Sequence, residues 1–219
     1  EFALSLLTQP KRAYLVNTQH MVSSLQQDFP SIAVNEVLED SDRHFFHVEA
    51  GITMADLAKL LSHQSPRLAI EASGGSPGAT LAGALATATH GGELRKPLLV
   101  DRVKAVHLVG PGGVQWWIEG DDPIADPDKL MVKYPCLTRE HIILGTDTVS
   151  SLSGQDWLNA VVVSMGTIGF NYSMVLEVVP LFGIHEVVVE QTWSGLLAEG
   201  SFDSGSGLNP ITVNNLRHP

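Results

Sequence analysis

The segment Glu71–Gly92, EASGGSPGATLAGALATATHGG, constrains this chain more than any other. Six of its residues are glycine, paired near the start and at the end, and it contains no Lys or Arg. Glycines at this density let backbone N–H groups approach a partner closely, and the small residues between them keep side chains clear. The run LAGALATAT after Thr80 reads as a short helix of small residues whose N-terminus faces the first glycine pair. Such an end offers unpaired N–H donors and a positive dipole, which suits a phosphate without a cationic side chain. The pattern is neither a Gly-Lys-Ser/Thr loop nor a G-x-G-x-x-G fingerprint. A Gly/Ala helix packed tightly into a core is the alternative structural reading.

The other limits on function come from charge and cysteine content. A formal net charge of −11 leaves no basic surface to displace counterions, so a nucleic-acid partner is not expected. A single cysteine, Cys136, excludes an internal disulfide or a thiolate metal cluster and fits a reducing, cytoplasmic setting. Cys136 is expected to be a buried apolar residue. No apolar run reaches the roughly 18 residues that span a bilayer. The N-terminal EFALSLLTQP lacks the basic flank and cleavage site of a signal peptide.

Along the chain, residues 20–30 read as a short helix or loop, and the alternation in IAVNEVLED (32–40) predicts a half-buried strand. FFHVEAGITM leads from a strand at 44–50 through Gly51 into a helix near 53–63. Thr53 and Asp56 come close to a capping box there. LAIEA (68–72) is a short strand. Two apolar runs about Pro111-Gly112-Gly113 form the clearest hairpin. Helices are predicted near 128–134 and from 153 towards Gly166. Strands are predicted at 141–149, 170–179 and 185–193. Few helices among many strands give an α+β domain, its sheet mixed or mainly antiparallel and flanked by short helices.

These features occur in a specific order. VEAGITMADLAKLL, the glycine-rich turn, TLAGALATATHGG, the PGG hairpin and SMGTIGFNYSMVLEVVP together resemble the PCMH-type FAD-binding domain of the vanillyl-alcohol oxidase and p-cresol methylhydroxylase superfamily. The resemblance covers roughly residues 44–180. Thr89-His90-Gly91 is similar to the branch that contains sugar-lactone and alditol oxidases. It implies FAD lying extended between two α+β subdomains. Ser73, Gly74, Gly75 and Ser76 match the loop along the pyrophosphate, and Thr80 and Gly83 match the start of the small helix beside the cofactor. Thr87, Thr89, His90, Gly91 and Gly92 match the segment nearing the ribityl chain and flavin ring. Gly166, Ile168 and Gly169 match a turn placed against the cofactor. The implied division is 1–52 as the remainder of the first FAD subdomain, 53–193 as the second, and 194–219 as the start of a C-terminal region.

The implied activity is FAD-dependent oxidation of a small alcohol, a polyol or sugar lactone, by hydride transfer to flavin. The alternatives are a non-catalytic flavin-fold remnant or binding module, and a relative of the cell-wall precursor reductases. Family members carry an earlier glycine-rich loop and a long substrate domain. This chain is expected to begin just after the first and to lack the second, with other segments held separately or as a homo-oligomer. The catalytic base is expected to lie in that substrate domain, so no catalytic residue is assigned. A second flavin bond through a loop cysteine is not expected, because the loop has none.

Other candidates have plainer readings. His44 and His47 fall on opposite faces of a strand and make a poor metal pair. The remaining histidines, apart from His90, read as surface or satisfied core residues. Asp121, Asp122, Asp126 and Asp128 lack the ligand spacing of a calcium loop, so a solvated acidic loop is expected and no metal is assigned. Trp116 and Trp117 face opposite ways, one to the core and one outward. Asn171-Tyr172-Ser173 matches a glycosylation acceptor but lies in a predicted strand.

Overall fold

The computed structural model describes residues 17–40, 42–92, 96–145, 147, 149, 151–185 and 192. Contacts divide the chain into units Glu1–Phe182 and Gly183–Pro219, and every element below lies in the first. The predicted strand at 185–193 falls almost wholly outside the described residues.

A mixed six-stranded sheet forms the centre. Its strands are β1 (His44–Glu49), β2 (Leu68–Ala69), β3 (Val103–Val109), β4 (Gln115–Glu119), β5 (Ile142–Ile143) and β6 (Phe170–Pro180). The order is β1-β6-β3-β4-β5, and β2 pairs with the far end of β6. All pairings are antiparallel except β4 with β5. The β3–β4 hairpin closes over Gly112 (φ 73°) and Gly113 (φ 80°), left-handed positions that glycine occupies without strain.

Period-two alternation gives the sheet two buried faces. Phe46, Val48, Val106, Leu108, Ile118, Met174 and Leu176 face one core. Against them pack the apolar stripes of α2 (Met54–Ser62), α3 (Leu81–Ala86) and α5 (Gly154–Val162), including Leu57, Leu61, Leu81, Leu85 and Leu158. Phe45, Ala105, Trp117 and Val175 face the other core. It is covered by a 3-10 turn at Gln26–Ser31 and by α4 (Pro127–Lys133), through Phe29, Ile32 and Leu130.

Several local expectations need correction. Residues 32–40 do not form a strand: Ile32 and Ala33 are buried, and Asn35–Glu39 is the short helix α1, none of its residues fully buried and only Val37 packed against the core. Alternation over so few residues fits either state, and here a bridge from Ala33 to Ala125 fixes the chain before the helix begins. The strand expected at 141–149 is only two residues long, following a 3-10 turn at Arg139–His141. Cys136 is exposed, not buried, because Leu137 takes the buried place in that turn. Trp117 is fully buried, whereas Trp116 is half-buried and edge-on to His141. Asp126 caps α4 by accepting from the N–H groups of Asp128 and Lys129.

Candidate functional site

The glycine-rich strip and the VEAGITM turn interlock. At the start of α2, Met54 N–H donates to Ala79 O (2.9 Å) and Ala55 N–H to Pro77 O (3.0 Å). At the start of α3, Leu81 N–H donates to Ile52 O (2.7 Å) and Ala82 N–H to Ala50 O (2.9 Å). Each helix also has a threonine cap: Thr53 Oγ1 accepts from Asp56 N–H and Thr80 Oγ1 from Gly83 N–H, both at 3.1 Å. Gly51 makes the turn possible, since a Cβ there would lie 2.8 Å from Met21 O and run into Thr18.

This geometry corrects one expectation. The N-terminus of α3 is not an open anion site, because its first three N–H groups are committed to Ile52, Ala50 and the Thr80 hydroxyl. The donors lie one step earlier. The carbonyls of Pro77 and Ala79 are turned onto α2. Among the described residues, the N–H groups of Ser73, Gly74, Gly75, Ser76, Gly78 and Ala79 donate to no protein acceptor. Gly75 and Gly78 have open space where a side chain would be, so bare backbone is presented there. An apolar-walled cavity of about 420 Å³ adjoins the loop, between Ser73–Gly75 and Met54, Ala58 and Ile70.

The strip folds back on itself. A Cβ on Gly74 would fall on the Thr89 methyl group, with His90 O at 3.6 Å. Thr89 reaches that place through a Schellman turn: Thr89 N–H donates to Ala84 O (2.8 Å) and Ala88 N–H to Leu85 O (2.9 Å), with Ala88 left-handed at φ 51°. Thr87 Oγ1 donates to Gly83 O at 3.0 Å and lies 3.2 Å from Thr89 Oγ1. His90 is exposed, and its Nδ1 donates to Gly91 O at 2.8 Å, so a neutral ring keeps its lone pair on Nε2. Gly92 is exposed, with open space where a side chain would be.

The turn after α5 joins the same region at one end. Met165 N–H donates to Ala86 O (3.1 Å), just before Gly166 (φ 72°). Ile168 is exposed, and Gly169 packs on β3, where a Cβ would lie 2.8 Å from Val109 O. The structure therefore brings Ser73–Gly75, Thr87–His90 and Met165–Gly166 around α3, while Thr80 and Gly83 are engaged in the cap. A larger cavity, about 560 Å³, lies elsewhere, against Asp101, Lys104, Asp122 and Gln155, and no residue of the strip lines it.

Three features escaped the sequence reading. Glu71, at the start of the strip, accepts from Lys96 Nζ (2.6 Å) and from Arg102 Nη2, and these cations, Lys96 first, hold its carboxyl below the usual range. Glu119 is fully buried and accepts from Trp117 Nε1 (2.5 Å) and Ile124 N–H (2.6 Å), while burial pushes it up to about 7. His47 and His107, both buried, share the aromatic surroundings of Trp117. Each has one ring nitrogen bonded, to Ser173 Oγ or Gln115 Oε1, and its Nδ1 without a partner. No local pattern marks these positions, because their burial is set by the sheet.

A diphosphate-bearing cofactor fits the loop in chemistry: neutral donors, exposed backbone and an adjoining apolar cavity. Residues 17–119 match the family described as FAD binding domain. The turn at Gly166–Gly169 lies beyond that match. A solved structure described as a solvent-stable cholesterol oxidase is similar at 17% identity and a TM-score of 0.43, over 76% of this chain and 25% of that one. The chain thus spans a quarter of that protein's length. No curated protein matches the chain. No helix among the described residues is long and apolar enough to cross a membrane.

Proposed function

We propose that this chain, whose residues 17–119 match the FAD binding domain family, is the flavin-holding part, of the vanillyl-alcohol oxidase and p-cresol methylhydroxylase type, of an FAD-dependent oxidoreductase acting on a small alcohol of the polyol or sugar-lactone kind. The observation that carries the reading is the orientation of the loop, with the carbonyls of Pro77 and Ala79 docked on α2 and the N–H groups of Ser73–Ser76 uncommitted. In this reading Ser73, Gly74, Gly75 and Ser76 hold the pyrophosphate through backbone donors. Thr87, Thr89, His90, Gly91 and Gly92 with Gly166, Ile168 and Gly169 border the rest of the cofactor, and Thr80 and Gly83 hold the helix beside it. The chemistry that FAD supplies when bound is a two-electron oxidation in which the alcohol's C–H hydrogen leaves as hydride and its O–H hydrogen as a proton. This chain's own residues position the cofactor and keep charged side chains away from it.

The same proposal takes 1–52 and 53–193 as parts of two flavin subdomains and 194–219 as the start of a further region, in a cytoplasmic protein. The test is a visible spectrum of the purified protein supplied with FAD. Retained oxidised-flavin absorption that is bleached by a polyol or lactone supports the oxidoreductase. Retained absorption that no alcohol bleaches indicates a binding module, and a colourless protein after desalting overturns flavin binding altogether.

A further inference from the structure

Glu71 opens the glycine-rich strip, and its two partners both follow the strip in sequence. Lys96 Nζ lies 2.6 Å from Glu71 Oε1, and Arg102 Nη2 bonds Oε2. These contacts join positions 25 and 31 residues apart. Arg102 is itself held in the sheet. It ends the 3-10 turn Val100–Arg102 that leads into β3, and its Nη1 lies 3.9 Å from Glu177 on β6. Glu177 in turn binds Lys104 Nζ (2.8 Å) and Arg43 Nε (3.2 Å). The return segment is set locally by Leu98 N–H donating to Asp101 (2.8 Å). One carboxylate therefore ties the start of the strip, and Lys96 in the segment that follows it, to a network rooted in β1, β3 and β6.

We propose that Glu71 is a positioning residue for the flavin site: by clamping Lys96 and Arg102 it fixes the start of the strip against the segment that follows it and pre-orders the loop before the cofactor arrives. The proposal rests on the flavin-binding reading above. A loop ordered in advance loses less conformational freedom on binding. The clamp also keeps Lys96 and Arg102 occupied, so the loop meets the cofactor with neutral donors alone.

The test compares the full chain with E71Q, K96M and the double variant, with K133M as a control that breaks the ion pair to Asp28 on the other side of the sheet. Two readouts are used: hydrogen exchange at the bonded amides of Leu81–Thr89 without cofactor, and FAD affinity by fluorescence titration. E71Q is expected to speed exchange at these amides and to weaken FAD about tenfold. K133M should change neither. E71Q and K96M should be less than additive because they remove one interaction. The Lys96 arm of the clamp is half-exposed, while Glu71 and Arg102 are largely covered, so exchange in the wild type should quicken with salt and lose that response in E71Q. Unchanged exchange in E71Q overturns the clamp even if FAD binds. Faster exchange in E71Q with no FAD bound by the wild type overturns the flavin reading and leaves the clamp as a device of the fold only.

Discussion

Thr53 and Thr80 face each other across an isolated antiparallel bridge, and each caps the helix that follows it. The turn before α2 feeds carbonyls to α3, and the loop before α3 feeds carbonyls to α2. The glycine-rich loop is thereby oriented by the same bonds that end the two helices. Its remaining freedom is on the N–H side.

Thr80→Ala removes the cap from Gly83 N–H and is expected to cost about 1 kcal/mol in urea unfolding. Thr80→Ser retains the hydroxyl and should recover most of the loss. Because Thr80 Oγ1 is engaged inside the protein, FAD affinity should fall no further in the alanine variant than in a Thr53→Ala variant of equal stability. A much larger loss at Thr80 alone would mean the hydroxyl touches the cofactor.

Ala88 sits left-handed at the end of α3, where a Cβ is strained. Ala88→Gly should stabilise the protein by about 0.5–1 kcal/mol, strain relief less the added freedom of the unfolded chain. Thermal unfolding checks this, and a lowered melting temperature would contradict the Schellman assignment.

Gly74 and Gly75 separate packing from ligand contact. Gly74→Ala forces Thr89 to move, so its effect on FAD affinity should be relieved by Thr89→Ser, which deletes the obstructing methyl. The Cβ of Gly75→Ala meets nothing in the protein, so any loss of affinity there reports the cofactor directly. About tenfold weaker binding is expected for Gly74→Ala, since it disturbs a preordered loop. Equal affinity in all these variants would remove the loop from the site.

Trp117 lies between two buried groups with opposite pH dependence: it donates to Glu119 and meets His47 edge-on at 5.8 Å. Burial raises Glu119 from 4.5 to about 7, so between these values the native state keeps a proton that the unfolded chain has lost, and stability falls as pH rises. Burial, then His107, lowers His47 from 6.5 to about 3, so in that range the unfolded chain holds the extra proton and stability rises with pH. The two slopes oppose each other between pH 4.5 and 6.5. Glu119→Gln turns an amide NH2 towards N–H donors and should cost about 1–3 kcal/mol. It should also expose the histidine slope, about 1.4 kcal/mol per pH unit across that window. Denaturant midpoints that rise as steeply in the wild type as in the variant would contradict the assignment at Glu119.

The parts of this fold that were legible in the sequence are those decided within a few residues. Thr53 with Asp56 marked α2, Pro111–Gly113 marked the hairpin, and the run 170–179 marked β6, because caps, turn glycines and alternation act locally. Ile32–Asp40 was misread because its apolar spacing fits a strand or one helical turn, and the contact with Ala125 decides between them. The strip was legible as a glycine-rich loop with little side chain in the way, but which of its N–H groups stay free was not. Whether an N–H is free depends on Ala50 and Ile52, about thirty residues away in the chain. Burial of Glu119, His47 and His107 is likewise a product of sheet order, which no local pattern encodes.

The central claim is that the backbone of Ser73–Ala79, and not the helix end after it, meets the cofactor's pyrophosphate. Amide NMR shifts of the full chain titrated with FAD, and separately with inorganic pyrophosphate, test it most directly. The account predicts saturable shifts at Ser73, Gly74, Gly75 and Ser76 with both ligands, while Leu81 and Ala82, bonded to Ile52 and Ala50, move little. Shifts centred on Leu81–Gly83 with a silent loop, or no saturable shift in either segment, would contradict it.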